Sequence, residues 1–285
     1  MQDVWHHIHS LMPLRDAARV AGLSQSFKFS WRSHPNLIFT RKTLGLDVNA
    51  RQKETAGDFR SKIDHILRNH SGIGVRKLNL WQVPNFNAED CSYIGRWLQK
   101  TATPALEELT LTLSVYSDSY TFPCKVLSNG MGDSLRCLYL AGCSFHPIAG
   151  VCCLKSLIKL ELYLVRITAE ELWSLLSNSS ALERFSLKYC NKVNCLKIPC
   201  HLQRLSHVEV GECRKLRAIE SKAPNLSRFK FVGKLKVKVS LGEALQVKNL
   251  HMYCTEIGCD TRAELVSSTQ SREVCYKTVG VFYCY

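Results

Sequence analysis

The sequence lacks long apolar segments and the common signatures of catalytic and cofactor sites. No run of about 18 or more apolar residues occurs, and no apolar N-terminal stretch precedes a small-residue cleavage site. We therefore expect a soluble, non-secreted chain that does not enter a membrane. The patterns G-x-S-x-G, G-x-x-x-x-G-K-S/T, G-x-G-x-x-G and H-E-x-x-H are also missing. We expect a protein that is not an enzyme, with no catalytic residues and no cofactor.

Paired metal-binding cysteines are missing too, although cysteine itself is abundant. The 14 cysteines are spread along the chain without a C-x-x-C pair, so no metal site is predicted. Reduced thiols that act as small hydrophobic side chains account for this distribution. Reduced thiols favour the cytoplasm and/or the nucleus as the location of the protein.

Acidic residues are scarce, since 24 of them face 38 lysines and arginines and leave a net charge of +14. Such a charge attracts acidic partners. It is concentrated in a late basic stretch, where only Glu220 and Glu243 are acidic. Its basic residues are Arg214, Lys215, Arg217, Lys222, Arg228, Lys230, Lys234, Lys236, Lys238 and Lys248.

Within this stretch, residues 234–239 alternate lysine with apolar residues. The alternation predicts a strand with its three lysines on one face. That face is either ordinary solvated surface or a site for an acidic peptide or an anionic, phosphate-bearing small molecule. No aromatic residues are interleaved to stack bases, so nucleic acid is not an expected partner.

A repeated pattern organises most of the chain. Residues 135–145 (LRCLYLAGCSF) read apolar-x-x-apolar-x-apolar-x-x-Cys-x-apolar, which is the phase of a leucine-rich repeat. The pattern starts at eight apolar positions: Val75, Leu106, Leu135, Leu157, Leu182, Leu205, Leu226 and Val247. Most of the intervals suit a strand plus a returning segment of roughly 20–29 residues in all. Cysteine fills the turn eight residues after the start in three repeats, at Cys143, Cys190 and Cys213.

The repeats predict an α/β solenoid over residues 75–257. Parallel strands form its concave side, and the returns on the convex side are helical or irregular. Thr168-Ala169-Glu170-Glu171 is a capping box and Asn87 an N-cap, so helices are expected after them, whereas Pro199 and Pro224 favour extended or 3₁₀ returns. Variable strand positions that point away from the core are the default place for a partner. The predicted substrate-binding positions are Arg136, Tyr139, Lys159, Glu161, Arg184, Ser186, His207, Glu209, Arg228 and Lys230.

Residues 1–40 differ from the repeats. Val4, Ile8 and Leu11 form one helical stripe that ends at Pro13, and residues 16–31 carry a second stripe. Residues 41–74 predict a connector and a solenoid cap, in which an amphipathic helix around residues 59–67 ends near Gly72. The phase is lost in residues 258–285, which we interpret either as an alternative or shortened version of a longer chain's end or as a final irregular strand that covers the last repeat.

The N-terminal segment, DVWHHIHSLMPLRDAARV (residues 3–20) with Leu23-Ser24, Phe27 and Trp31-Arg32, closely resembles the F-box. Together with the repeats, up to about residue 257, the chain resembles the plant F-box/leucine-rich-repeat proteins. In that family the F-box docks on the Skp adaptor of a cullin-RING ubiquitin ligase, and the repeats select the protein to be ubiquitinated. The resemblance implies an adaptor-binding surface formed or supported by Val4, Ile8, Leu11, Met12, Pro13, Leu14, Asp16, Ala17, Val20 and Leu23. The other interpretation of these side chains is that they pack against the first repeat.

Three functions follow as hypotheses. The first is a substrate receptor of a Skp-cullin-F-box ligase, whose partners are the Skp adaptor and a target protein. The second is a ligase-independent repeat scaffold, because the family's Leu-Pro pair is missing before Asp3 and Gly22 replaces a larger residue in the second helix. The third is a receptor for an anionic small molecule at the late basic stretch.

Overall fold

The computed structural model describes residues 2–50, 52–84, 88–113, 120–128, 131–147, 154–234, 236–242, 247–254 and 274–278. The chain divides into two compact units, Met1–Cys143 and Ser144–Tyr285, and each is described by itself. Within the described residues, no helix has both the length and the apolar character needed to cross a membrane.

The first unit begins with helices and continues as a parallel sheet. Its elements are α1 (Gln2–Leu11), α2 (Leu14–Val20), α3 (Gln25–Arg32), β1 (Asn36–Phe39), α4 (Gln52–Asn69), β2 (Lys77–Val83), α5 (Ala88–Thr101), β3 (Glu108–Leu113), a 3₁₀ turn (Cys124–Ser128), α6 (Met131–Ser134) and β4 (Cys137–Ala141). Strands β1 to β4 pair in chain order. We call α1 to α3 the helical head. Strand β1 is a finding beyond the predicted repeats, since it adds a parallel strand before the first of them.

The second unit has a larger and a smaller parallel sheet. Its elements are β5 (Lys159–Tyr163), α7 (Ala169–Ser177), β6 (Arg184–Lys188), β7 (Cys195–Ile198), β8 (His207–Gly211), β9 (Ala218–Ser221), β10 (Arg228–Gly233), β11 (Lys238–Ser240), β12 (Asn249–Cys254) and β13 (Val274–Thr278). The larger sheet runs β5-β6-β8-β10-β12-β13, and the smaller sheet runs β7-β9-β11. The short returns of the later repeats are thus extended, as their prolines predict.

All eight predicted repeat strands are present, which confirms the leucine-rich-repeat fold. In each, buried apolar residues alternate with less buried ones, as in β4, where Leu138 and Leu140 are buried and Tyr139 is half-buried. A strand places successive side chains on opposite faces, so the repeated apolar pair supplies the core. The capping box at Thr168 is also confirmed, and Leu172, Leu175 and Leu176 of α7 are buried behind it.

The cysteine turns have a structural use. The buried Cys190 thiol donates to the carbonyls of Lys188 and Leu162 at 3.4 and 3.7 Å. The Cys213 thiol bonds Gly211 in the same way, at 3.4 Å, and burial raises its pKa to about 11. Neutral thiols therefore satisfy turn carbonyls that lie under the strand ends.

Two helix and strand predictions are wrong. The stripe over residues 16–31 is not one helix, because the chain turns at residues 21–24 and α3 begins at Gln25. Ser24 is the N-cap of α3, and its hydroxyl accepts from the Phe27 N–H at 3.2 Å. Gly22 therefore lies in a turn and not in a helix interior. The lysine-rich strand is shorter than predicted, since Lys236 lies in a turn and β11 begins only at Lys238.

Other predictions concern the helix ends. Helix α4 contains the predicted residues 59–67 and ends at Asn69, three residues before Gly72. The predicted cap residue Asn87 lies outside the described residues. In the segment where the repeat phase is lost, β13 pairs in parallel with β12, in agreement with a strand that covers the last repeat.

Candidate functional site

The helical head exposes a stripe of apolar side chains. Val4, Ile8 and Leu11 lie on one face of α1 and are 60, 40 and 73% exposed, and Leu23, in the turn after α2, is 77% exposed. We call these four residues the apolar ridge. Large apolar side chains held in the open on a short helical element are typical of a protein-interaction site.

The other residues predicted to bind an adaptor divide by burial. Pro13 is exposed, and Met12, Asp16 and Val20 are half-buried. Leu14 and Ala17 are buried within the first unit, and the alternative interpretation, packing against the first repeat, stays a prediction for them.

Leu14 reaches into the first unit. It lines a cavity of about 600 Å³ together with Ile38 of β1, Leu44 in the turn after β1, and Ile66 of α4. The sequence analysis overlooks Phe29 of α3, which is 64% exposed on the same head. The sequence gives little indication of an exposed Phe29, because the apolar helical stripe of this segment passes through Phe27 instead.

A second surface lies on the open face of the larger sheet in the second unit. The half-buried and exposed strand positions line a groove of about 390 Å³. The structure brings eight of the predicted substrate-binding residues into this groove: Lys159, Glu161, Arg184, Ser186, His207, Glu209, Arg228 and Lys230. His251 of β12 lines it as well and is absent from the sequence prediction.

Strand register arranges these side chains in two rows across the sheet. The first position of each strand gives the basic row, which contains Lys159, Arg184, His207 and Arg228. The third position gives the mixed row, which contains Glu161, Ser186, Glu209, Lys230 and His251. Because the strands are parallel and in register, residues distant in sequence become neighbours about 4.8 Å apart.

The carboxylates of the mixed row are already paired. Glu209 bonds Lys188 at 2.8 Å and Lys230 at 2.9 Å, and Glu161 bonds Lys159 at 3.1 Å. Burial alone would raise the pKa of Glu209, but hydrogen bonds and the charges of its two lysines lower that pKa below its ordinary value. The groove's acidic groups are thus neutralised by neighbours, as partly exposed ion pairs worth little in stability.

The basic row, by contrast, keeps positive charge available. The pKa of His207 is lowered by burial and by the charges of Arg228 and Arg184 on the adjacent strands. The His207 Nδ1 lies 2.8 Å from the Ser206 hydroxyl. Among the described residues, Arg184 and Arg228 form no ion pair, and both are exposed.

Two of the predicted substrate-binding residues, Arg136 and Tyr139, belong to the first unit, and only Tyr139 lies on a strand. Tyr139 of β4 lies on the open face, where its ring stacks on Trp81 with centroids 6.0 Å apart. Arg136 precedes β4 and is three residues from Tyr139, so it does not share that face; Cys137 takes the position in register with Glu108. Arg136 is exposed but precedes β4, so it lies outside the row of Tyr139, and its part in substrate binding stays a prediction.

The late basic stretch does not form one site. Arg228 and Lys230 line the groove, whereas Lys238 lies on β11 of the smaller sheet and Arg214 lies in a turn. Within the described ranges, no group of three or more histidine, cysteine, aspartate or glutamate side chains is placed to hold a metal ion.

A parallel strand repeated with a cysteine or aliphatic turn and a short return defines a leucine-rich-repeat protein, a class that binds other proteins through its strand face. The family described as "At1g61320/AtMIF1, LRR domain" matches residues 66–275, and the chain belongs to this family.

Two curated proteins of Arabidopsis thaliana are similar to the chain. The F-box/FBD/LRR-repeat protein At1g13570 is 27% identical over 191 residues, which is 66% of this chain and 42% of that protein. The putative F-box/LRR-repeat protein At3g49150 is 26% identical over 117 residues, or 41% of this chain and 18% of that protein. The chain thus spans less than half the length of either relative.

Proposed function

We propose that this protein is a substrate receptor of a Skp-cullin-F-box ubiquitin ligase. The helical head docks on the Skp adaptor, the repeats hold the target protein, and other subunits transfer ubiquitin. The chain itself is non-catalytic in this proposal and works in the cytoplasm and/or nucleus, where such ligases act.

The observation that carries the proposal is the apolar ridge. Leu11 and Leu23 remain 73 and 77% exposed although the burial of a leucine contributes about 1.5–3 kcal/mol, so a partner that covers them would bind favourably. The names of both relatives contain F-box, which supports the same assignment for residues 1–40.

Buried head residues have a supporting role in this proposal. Leu14 and Ala17 fix α2 against the rest of the first unit, and the His34 imidazole donates from Nε2 to the Met12 carbonyl at 3.1 Å. These contacts hold the ridge on a rigid base, and a rigid base lowers the entropy cost of docking.

The test is a Leu11→Asp change in the full chain. A charge in the centre of the ridge has to be desolvated on docking, so retention of a purified Skp-type adaptor in a pull-down should fall at least about tenfold. Ile73→Asp is the matched control, since Ile73 is 75% exposed and lies outside the head; it should leave retention unchanged. Failure of the unaltered chain to retain any Skp adaptor, or equal retention by Leu11→Asp, rejects the proposal.

The burial of Leu14 and Ala17 favours a second candidate, a ligase-independent repeat scaffold. This burial removes two of the predicted adaptor-binding side chains from the surface. This candidate predicts that the unaltered chain binds a target through the open sheet face while it retains no Skp adaptor in the same pull-down.

A further inference from the structure

The groove of the second unit has one place where positive charge is concentrated and uncompensated. Arg184 and Arg228 lie on either side of His207, on β6 and β10, in the same register row. Two strand spacings separate their backbones, about 10 Å. Long guanidinium side chains at that separation can converge from both sides on a single group above His207.

Neighbouring charges do not cancel this pair. The groove's two carboxylates, Glu161 and Glu209, are occupied by Lys159, Lys188 and Lys230. Across the part of the chain that the structure describes, neither arginine has an acidic partner. Burial is the main cause that lowers the pKa of His207, and the two guanidinium groups lower it further because they disfavour another positive charge between them.

The floor of the groove offers further polar atoms. His207 has its Nδ1 at the Ser206 hydroxyl, which leaves Nε2 to meet a ligand. His251, on the next strand but one, has a buried Nδ1 with no hydrogen-bond partner among the described residues. A buried polar nitrogen without a partner is unfavourable, so a ligand or water that hydrogen-bonds to it is stabilising.

We propose that Arg184, His207 and Arg228 bind a phosphorylated serine or threonine side chain of the target protein. A phosphoryl group carries about −1.5 to −2 charges and three acceptor oxygens, which match two guanidinium groups that each donate in a bidentate fork. Arginine clusters of this kind are a recurrent means of recognising phosphorylated segments. The inference rests on the proposed function, in which the repeats hold the target, and it names the chemistry of that target.

The pattern of charge favours one phosphoryl group on a peptide over a nucleic acid. A nucleic-acid groove needs a track of cations that follows successive phosphates. Here the next row, about 6.6 Å along the strands, has its charges engaged in ion pairs of Glu161 and Glu209 with lysines, so it does not continue a track of free cations. The volume of about 390 Å³ suits a few peptide residues and is too small for a helix of nucleic acid.

The experiment uses the purified full chain without an adaptor. The probe is a fluorescein-labelled peptide with one phosphoserine between glycines, and its anisotropy is compared with that of the unphosphorylated parent at physiological salt, where long-range attraction to the net charge is screened. We expect the phosphopeptide to bind at least about tenfold more tightly. Arg184→Gln and Arg228→Gln should each reduce this preference about tenfold, because each removes a charge-assisted hydrogen-bond pair.

Arg214→Gln is the matched control, because it removes the same charge from an exposed turn of the same unit outside the groove. It should leave the preference within about twofold, since surface charges beyond a Debye length of about 8 Å are screened. All three arginines are exposed, so melting temperatures should be unchanged and should exclude unfolding as the cause.

Several outcomes overturn the inference. Equal binding of the two peptides does so, and so does an equal loss in Arg214→Gln and Arg184→Gln. The groove is assigned to another anion if the chain binds a labelled single-stranded oligonucleotide or inorganic pyrophosphate but does not bind the phosphopeptide. The adaptor pull-down is independent: a chain that binds the phosphopeptide but no adaptor refutes only the ligase assignment, and the reverse result refutes only this inference.

Discussion

At the scale of single residues, the same backbone position at the end of five repeat strands adopts a left-handed conformation. Gln82, Leu164, Tyr189 and Glu212 have φ between 51° and 57°, and Gly142 has φ of 73°. Each stands seven residues after the start of its repeat. Non-glycine residues pay about 1–2 kcal/mol for this conformation, so the turn is held by its hydrogen bonds, such as the one from the Glu212 N–H to the Val232 carbonyl at 2.7 Å.

Gly142 provides a direct test of this turn. A Cβ there would lie 3.2 Å from the Leu113 carbonyl oxygen, in addition to the left-handed strain. We expect Gly142→Ala to lower the free energy of unfolding by more than about 1 kcal/mol in urea titrations.

Gly95→Ala in α5 is the paired control. A Cβ at Gly95 meets nothing within 4 Å, and its helical conformation suits alanine, so this change should stabilise the fold by about 0.4–1 kcal/mol. Equal effects of the two substitutions would contradict the assigned strain.

At the scale of elements, two buried histidines connect the head to the first strand and the cap helix. His34 Nδ1 accepts from the Asn36 N–H at 3.1 Å, and its Nε2 reaches the Met12 carbonyl. His70, just after α4, donates from Nε2 to the His34 carbonyl at 2.9 Å and accepts from the Gly72 N–H at 2.9 Å. Each ring must be neutral to donate at one nitrogen and accept at the other.

This arrangement predicts a loss of stability in mild acid. Burial is the main cause that lowers the pKa of His34 and of His70 below 6.5, so the folded state binds fewer protons than the unfolded state between those lowered values and 6.5. Stability from the two rings is therefore complete above pH 6.5 and falls as the pH drops towards their lowered values. Chemical unfolding at a series of pH values measures the slope, up to about 1.4 kcal/mol per pH unit for each histidine.

His70→Gln should remove part of that slope as well as lower stability at neutral pH. His65→Gln, at an exposed position of α4, should preserve the slope. An unchanged slope in His70→Gln would show that protonation of His70 is not coupled to folding.

At the scale of the whole molecule, sheet edges are the exposed backbone that a repeat protein has to protect. In the second unit β13 pairs with β12 over five residues, from Leu250↔Val274 to Cys254↔Thr278. In the first unit β1 is fixed beside the head, where the Asn36 side-chain amide donates to the Ser10 carbonyl at 3.0 Å.

A chain that ends at residue 257 tests the protection of β12. Half of the β12 amides point towards β13 and would lose their partners, so their hydrogen exchange should become about tenfold faster or more. Amides of β5 and β6 in the same sample serve as the internal control and should keep their protection. Unchanged exchange in β12 would mean that β13 does not cover this edge.

Periodic features were within reach of sequence analysis. The eight repeat strands follow from apolar residues such as Leu138 and Leu140 at fixed spacing, and the start of α7 follows from the capping box at Thr168. Both depend on residues that are close in sequence. The break between α2 and α3 is not predicted by the spacing, because the helical period continues through the turn that ends at the Ser24 cap.

The sequence by itself determined the repeat, its strands and the positive charge, because a period of apolar residues dictates which side chains enter the core. Only the tertiary structure decided which charges remain available. Strand register places Glu209 between Lys188 and Lys230 and leaves Arg184 and Arg228 unpaired on either side of His207. Packing of the helical head in turn buries Leu14 while Leu11 stays exposed. Such pairings join residues about 20 positions apart through parallel strands, and no local pattern specifies them.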